Sequence, residues 1–297
     1  MFKTKESELI LDDIRYLIDY SNLQDNLLYK RSNIFCNLDD FKSYSKDISM
    51  GIPMLLPTNL DYFDYNNYSS FKLNKEDIAN KIFMTDKLDY IGVKQFTEKG
   101  LEFSTGGTPV EKSVNIISYI SDINKKCKDL VNALTKKGKT VCAFQTRNIP
   151  HLGHERIIEE GLKHCDYIIV NPLIGLRKKG DFKTEVIEKA FQFLIENFYG
   201  NKVIYAPIIA NMFYAGPREA FHHSIIRQNI GFTHFIVGRD HAGAEGVYDE
   251  DAAFKNLKRN KLNIEVIPIE GAYYCTKKKS AVIKGVDNYD ENNLISI

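Results

Sequence analysis

The chain has 297 residues, 43% hydrophobic and 27% charged, the balance of a soluble globular protein with enough apolar material for a sizeable core. Its 40 lysines and arginines nearly cancel 39 aspartates and glutamates, which argues against a general nucleic-acid binder or a membrane-surface binder. The first residues show no basic stretch followed by an apolar run, and no window reaches the roughly eighteen apolar residues of a membrane helix, so a cytoplasmic protein is expected.

Residues 1–115 are rich in Tyr, Asn, Asp and Lys and only weakly patterned. One segment near its start, 8–19, has helical spacing. Short apolar runs, Ile52-Pro53-Met54-Leu55-Leu56 and Tyr90-Ile91-Gly92-Val93, lie between turn-forming clusters such as Asp64-Tyr65-Asn66-Asn67. That spacing predicts short strands and a small β-rich domain. Gly106-Gly107 reads as a hairpin turn rather than a phosphate cradle, because no helix start follows it directly.

The pattern changes near residue 115, and a second domain is expected over 116–297. A helix over 114–137 comes first, then alternating candidates: strand 141–145, helix 153–164, strand 167–170, helix 184–198 and strand 203–207. A helix over 217–228 opening on proline, a strand over 234–237, a helix from about 249 and a strand over 264–267 complete the series. Such alternation predicts βαβ units around a buried parallel sheet, with the ligand crevice at the carboxyl ends of the strands. The five cysteines (Cys36, Cys127, Cys142, Cys165, Cys275) are scattered without a Cys-x-x-Cys pair and read as reduced structural thiols. All seven histidines fall between His151 and His241, which marks where chemistry is expected.

Two strand ends carry the candidate site. After the first strand comes Gln145-Thr146-Arg147-Asn148-Ile149-Pro150-His151-Leu152-Gly153-His154. A helix beginning near Gly153 carries His154 in its first turn, where free N–H groups and the helix dipole favour anions, with His151 just before it. Arg147 supplies a planar fork suited to a tetrahedral oxyanion. A zinc site is the competing reading of His-x-x-His, but no third ligand stands at a diagnostic spacing, so no metal site is expected. The second loop follows 234–237 and reads Gly238-Arg239-Asp240-His241-Ala242-Gly243. Its glycines let the backbone turn tightly against a ligand, and Asp240 suits either a ribose hydroxyl or hydrated magnesium. In Tyr214-Ala215-Gly216-Pro217-Arg218-Glu219-Ala220, Arg218 either faces phosphates or forms an exposed pair with Glu219 at a helix start.

Together these segments resemble the ATP sulfurylase (sulfate adenylyltransferase) family. Gln145-Thr146-Arg147-Asn148 with His151 and His154 is similar to the family's Gln-Thr-Arg-Asn…His-x-x-His signature. The Tyr214–Ala220 block and the Thr233-His234-Phe235-Ile236-Val237-Gly238-Arg239-Asp240-His241-Ala242-Gly243 block resemble its two others, in the same order. The resemblance implies a Rossmann-like nucleotidylyltransferase domain of the HUP type, preceded by a PUA-like domain suggested by Gly51–Leu56 and by Gly92-Val93…Gly106-Gly107. It also implies transfer of an adenylyl group from ATP to sulfate, giving adenylyl sulfate and pyrophosphate. Gln145, Arg147 and the backbone N–H of Ala242 would hold sulfate. Thr146, Arg147 and Asn148 would form the catalytic loop, with His151 and His154 on the ATP phosphates. Gly238, Arg239, Asp240 and His241 would shape the adenosine pocket. Magnesium would arrive with ATP; nucleic acid and membrane are not expected partners, and a homo-oligomer is left open.

Three departures accompany the resemblance. Tyr273-Tyr274-Cys275-Thr276-Lys277-Lys278-Lys279 keeps one cysteine where relatives often carry a cluster, so zinc is not expected. Ile269 stands where many relatives have phenylalanine. The family usually continues past the equivalent of Leu294-Ile295-Ser296-Ile297 with an Ile-Ser-Gly-Thr…Arg segment and a small helical region. Two other readings compete: a nucleotidylyltransferase for another anion, and a non-catalytic nucleotide-binding homologue.

Overall fold

The computed structural model describes residues 13–28, 35–47, 50–175, 182–239, 241, 246–249 and 251–297. Asp240, Ala242 and Gly243 therefore lie outside the described residues.

Five parallel strands form the central sheet: β1 (Val141–Phe144), β2 (Tyr167–Val170), β3 (Val203–Tyr205), β4 (His234–Gly238) and β5 (Glu265–Ile269). Their spatial order is β5-β4-β1-β2-β3. Side chains alternate between faces, as a period of two requires. Val141, Ala143, Ile169, Phe235 and Val237 enter one core, and Cys142, Phe144, Ile168, Val170 and Ile236 enter another. Both faces are apolar because both are covered, the condition under which parallel sheets are stable.

The covering helices are α1 (Val114–Thr135), α2 (Leu152–Gly161), α3 (Thr184–Leu194), α4 (Pro217–Ile230) and α5 (Ala252–Arg259). Ile120, Ile123, Cys127 and Val131 of α1 join Ile225, Ile226 and Ile230 of α4 in the first core, with Leu257 of α5. Ile158 of α2 and Ile187, Phe191 and Leu194 of α3 fill the second. The helix expected over 184–198 changes at Leu194 into a single π turn, Ile195–Tyr199.

This order places the site. From β1 the chain builds outward through β2 and β3, then returns to set β4 on the other side of β1. The connections leaving β1 and β4 consequently diverge. At such a switch point a crevice opens beyond the carboxyl ends of the two strands.

The first 115 residues differ from the β-rich expectation. Their described part holds four helices, Ile14–Gln24, Leu38–Lys46, Lys75–Lys81 and Ile91–Thr97, beside five strands of two or three residues each. Some Asn/Asp clusters there are helix caps. Asn37 accepts from Asp39 N and Asp40 N in a capping box, and Asn74 accepts from Asp77 N. Ile91-Gly92-Val93 is helical instead of extended, with Tyr90 as the N-cap. Gly92 packs so tightly there that an added Cβ would lie 2.4 Å from the Phe83 ring and 2.7 Å from the Phe213 carbonyl. Gly106 and Gly107 do not close the expected hairpin: they link Glu102–Ser104 to Thr108–Pro109, strands of two different sheets, and lie against the rings of Tyr68 and Phe63.

No gap separates this region from the rest. Leu17, Phe41, Leu56 and Phe103 belong to the same apolar core as β1 and α4. After β5 a small antiparallel sheet (Ala272–Cys275, Ser280–Ile283, Leu294–Ser296) packs on α2. Arg156 of α2 clamps it through Asp287 at 2.8 and 2.9 Å while also pairing with Glu160 at 2.9 Å. Lys277, Lys278 and Lys279 form that sheet's exposed turn. All five cysteines are buried unpaired thiols. Among the described residues, no helix is long and apolar enough to cross a membrane.

Candidate active site

β1 ends at Phe144, and the chain turns immediately into the polar loop. Thr146 is buried, and its Oγ1 accepts the N–H of Asn148 at 3.2 Å, which closes the turn. The same oxygen lies 3.2 Å from Nε2 of His154, so the loop is latched to the first turn of α2. His151 is the N-cap of α2: its Nδ1 accepts the N–H of Gly153 at 3.1 Å. That bond occupies Nδ1 as an acceptor, so neutral His151 carries its proton on Nε2 and presents a donor.

The two histidines stack, with ring centroids 3.8 Å apart and planes 24° from parallel. Gly153 permits this, because a Cβ there would come within 2.9 Å of the His151 ring and 3.3 Å of Ala272 Cβ. Burial dominates their protonation. His154 is driven down to about 3 by desolvation, with His151 adding to the effect, and His151 is lowered by desolvation too. Both are neutral at pH 7. They act as hydrogen-bonding groups in the free protein, leaving Arg147 and Arg239 as the cations of the described lining.

The two loops meet. Gln145, Thr146, Arg147, Asn148 and His154 from one strand end, with Gly238, Arg239 and His241 from the other, line a single cavity of about 300 Å³. Phe144, Ile236 and Ile269 form part of its apolar floor. Gln145 Oε1 is buried with no partner among the described residues, an orphaned polar atom at the cavity wall. His151 stands behind this lining, stacked on His154. Asp240 and Ala242 lie outside the described residues.

The expectations for Arg218 are both overturned. Arg218 neither faces the cavity nor lies exposed: it is buried and donates to the carbonyls of Tyr44 at 3.1 Å, Gly51 at 2.7 Å and Lys81 at 3.1 Å. Glu219 is fully buried and accepts from Phe213 N and Ala215 N at 2.7 and 2.8 Å. Both serve the packing of α4 because that helix is surrounded on every side, and buried polar groups must find protein partners.

Two residues were missed from sequence. Tyr214 receives a hydrogen bond from Arg147 Nη1 at 3.2 Å and holds a left-handed φ of 62°. His223, fully buried on α4, lies 2.9 Å from Nε2 of His241 through its Nδ1 and 3.3 Å from Glu219 Oε1 through its Nε2. The usable signal was α4 itself. Arg218, Glu219, His222, His223 and Arg227 lie among Phe221, Ile225, Ile226 and Ile230 without a polar stripe, the mark of a helix buried all round.

Comparison with known proteins agrees with this geometry. The ATP-sulfurylase family model matches residues 122–297. The chain is 40% identical over 232 residues to a sulfate adenylyltransferase of Ignicoccus hospitalis, covering 76% of this chain and 60% of that protein. It is 33% identical over 300 residues to one of Thermococcus onnurineus, covering 92% and 78%. Its fold is similar to a hexameric APS kinase from Thiobacillus denitrificans, with a TM-score of 0.56 at 10% identity over 95% of this chain and 55% of that one. The chain spans 60% of the length of the Ignicoccus hospitalis and Pyrococcus abyssi relatives. A strand-end loop of the Gln-Thr-Arg-Asn…His-x-x-His type, a second Gly-Arg-Asp-His loop facing it, and a family match over more than half the chain together establish that this chain belongs to the ATP-sulfurylase family.

Proposed function

We propose that the protein transfers the adenylyl group of ATP to sulfate, forming adenylyl sulfate and pyrophosphate. The observation that carries the reading is the convergence of the 145–148 loop and His154 with Gly238, Arg239 and His241 on one cavity at the β1/β4 switch point. A turn carrying an arginine fork beside a nucleotide-sized crevice is what pinning a tetrahedral dianion next to the α-phosphorus requires. In this proposal Gln145 and Arg147, with the N–H of Ala242, hold sulfate. Thr146, Arg147 and Asn148 form the catalytic loop, His151 and His154 meet the ATP phosphates, and Gly238, Arg239, Asp240 and His241 shape the adenosine pocket.

The chemistry asks little of a base. Sulfate attacks as a dianion, the bond from the α-phosphorus to the bridging oxygen breaks, and pyrophosphate leaves with the electron pair. Catalysis then rests on in-line alignment and on stabilising charge that develops on the phosphoryl and leaving oxygens. Arg147 supplies a fixed positive fork, and the neutral histidines supply oriented hydrogen bonds. None of the described lining residues is a carboxylate. In this proposal ATP arrives as its magnesium complex, which would help neutralise the charge of the leaving pyrophosphate.

The sheet order supports a Rossmann-like nucleotidylyltransferase unit over 116–297. Residues 1–115 are read as the family's PUA-like unit on the strength of the small antiparallel sheet of Leu56–Pro57, Ser70–Lys72 and Glu102–Ser104. The decisive experiment incubates the purified chain with MgATP and sulfate, following pyrophosphate and adenylyl sulfate. Equal turnover with other oxyanions but not sulfate would favour a different anionic substrate. Nucleotide binding without turnover would favour a non-catalytic homologue.

A further inference from the structure

The chain enters α4 through a turn that a tyrosine does not choose by itself. Tyr214 has a φ of 62° and Gly216 one of 50°. A left-handed tyrosine is costly and persists only where its surroundings over-determine it. Glu219, fully buried in the first turn of α4, accepts the N–H groups on either side, from Phe213 at 2.7 Å and Ala215 at 2.8 Å. The hydroxyl of Tyr90 donates to the Tyr214 carbonyl between them. Tyr248 lies so close to Gly216 that an added Cβ would strike its ring, and its own hydroxyl donates to the Phe83 carbonyl at 2.7 Å. Phe213 packs edge-on against Phe96 and His222, with centroids 6.1 and 5.8 Å away.

A turn fixed from this many directions delivers one side chain to the active-site loop. The Tyr214 hydroxyl accepts from Arg147 Nη1 at 3.2 Å, and its ring centre lies 5.7 Å from the guanidinium carbon. Arg147 lines the cavity, whereas Tyr214 is buried and is not among the described lining residues. Its influence on a bound anion therefore passes through the arginine. A loop arginine left to itself samples many rotamers, and ordering them when an anion binds costs affinity. A tyrosine has few side-chain torsions, and this one is enclosed, so the fork is ordered before any anion arrives.

Resting on the sulfate-adenylylating reading, we propose that Tyr214 is a positioning residue that pre-orders the Arg147 fork for sulfate. The left-handed turn is what brings a hydroxyl from the start of α4 to a loop at the end of β1. Neither residue is near the other in the chain.

Kinetics on the purified chain test this, with sulfate and MgATP varied independently while pyrophosphate release is measured. Tyr214→Phe keeps the ring and removes only the hydroxyl facing Arg147. It is expected to raise the KM for sulfate several-fold, with the KM for MgATP and the unfolding midpoint close to wild type. Placed on Arg147→Lys, the same change should add nothing further to the sulfate KM, because its target is gone. An equal rise in both constants, no rise in either, or an undiminished effect on the Arg147→Lys background overturns the proposal.

A crystallographic comparison without ligands decides the matter independently of turnover. In the wild-type chain the Arg147 guanidinium is expected in one conformation against Tyr214. In Tyr214→Leu, which lacks both the hydroxyl and the ring, it should spread over several. An arginine turned away from Tyr214 in the wild type, or equally ordered in the leucine variant, overturns the proposal. Absent sulfate-dependent turnover in a chain whose Arg147 is held as expected would count against the sulfate reading and leave the positioning role standing.

Discussion

Arg147 Nη1 donates to the hydroxyl of Tyr214 at 3.2 Å, and its guanidinium lies 5.7 Å from the centre of the same ring. An exposed loop arginine is thereby held by a buried tyrosine from a different part of the chain. The hydrogen bond and the cation–π contact fix one edge of the fork and leave its other donors for an anion.

Arg147→Ala is therefore expected to lower sulfate-dependent pyrophosphate release by about 100-fold or more, the usual consequence of removing a preorganised charge-stabilising donor. Its unfolding midpoint should hardly move, because the side chain is exposed and has no core role. Arg147→Lys should recover little, since an ammonium cannot reproduce a planar fork. Near-normal turnover in the alanine variant would remove Arg147 from the site.

Gly153→Ala tests the histidine stack. Its Cβ would lie 2.9 Å from His151 Cε1 and 3.0 Å from His151 Nδ1, so the ring must swing away and surrender the N-cap bond. Loss of that cap and the overpacking together are expected to cost about 1–3 kcal/mol in denaturant unfolding. Turnover should fall as well. Unchanged stability and rate would mean that the stacked arrangement of His151 on His154 has no role.

Thr146→Val swaps a hydroxyl for a methyl at nearly constant volume. It removes the acceptor for Asn148 N and the partner of buried His154 Nε2. Leaving those groups unpaired should destabilise the protein by about 1–3 kcal/mol. The KM for ATP should rise, because the loop and His154 lose their common latch. Initial-rate kinetics at saturating sulfate would read this directly.

Acid should loosen the fold through its buried histidines. Desolvation lowers His154 and His222 to about 3 and holds His223 well below its ordinary value. In the unfolded chain each takes up a proton near pH 6.5, so below that pH the unfolded state binds more protons and stability falls. Each contributes at most about 1.4 kcal/mol per pH unit over the window between its folded and unfolded values. Asp19, raised to about 6 by burial, opposes them, because it binds a proton in the fold before it does in the unfolded chain. Glu219, also raised by burial, acts in the same direction as Asp19. His151 and His241 are lowered by burial as well and Asp25 is raised, so five histidines outweigh three carboxyl groups, and the melting temperature should drop between about pH 7 and 5. A flat profile across that range would show that these histidines titrate normally.

Much of the fold was legible because the parallel sheet writes itself into local sequence. Strands buried on both faces appear as short apolar runs, such as Tyr167–Val170, found at the bounds expected from sequence. The helices between them start at recognisable signals, including Pro217 at the start of α4 and the His-x-x-His turn at α2. The first 115 residues were less readable. Their helices are short and held by tertiary contacts, as Gly92 is by Phe83 and Phe213, so local pattern carried little of the decision.

The sequence by itself determined the cast of the crevice. Gln145, Thr146, Arg147, Asn148 and His154 follow one apolar run and Gly238, Arg239 and His241 another, and a strand end in a parallel sheet points to one edge wherever it occurs. Only the tertiary structure decided that β1 and β4 are neighbours, so that these two edges form one cavity. It also decided that Arg218 and Glu219 are enclosed rather than exposed, and that Tyr214 and His223 stand behind Arg147 and His241. Those facts depend on which faces of α4 meet neighbours. Strand order and helix burial are set by contacts among residues distant in the chain, which no local spacing encodes.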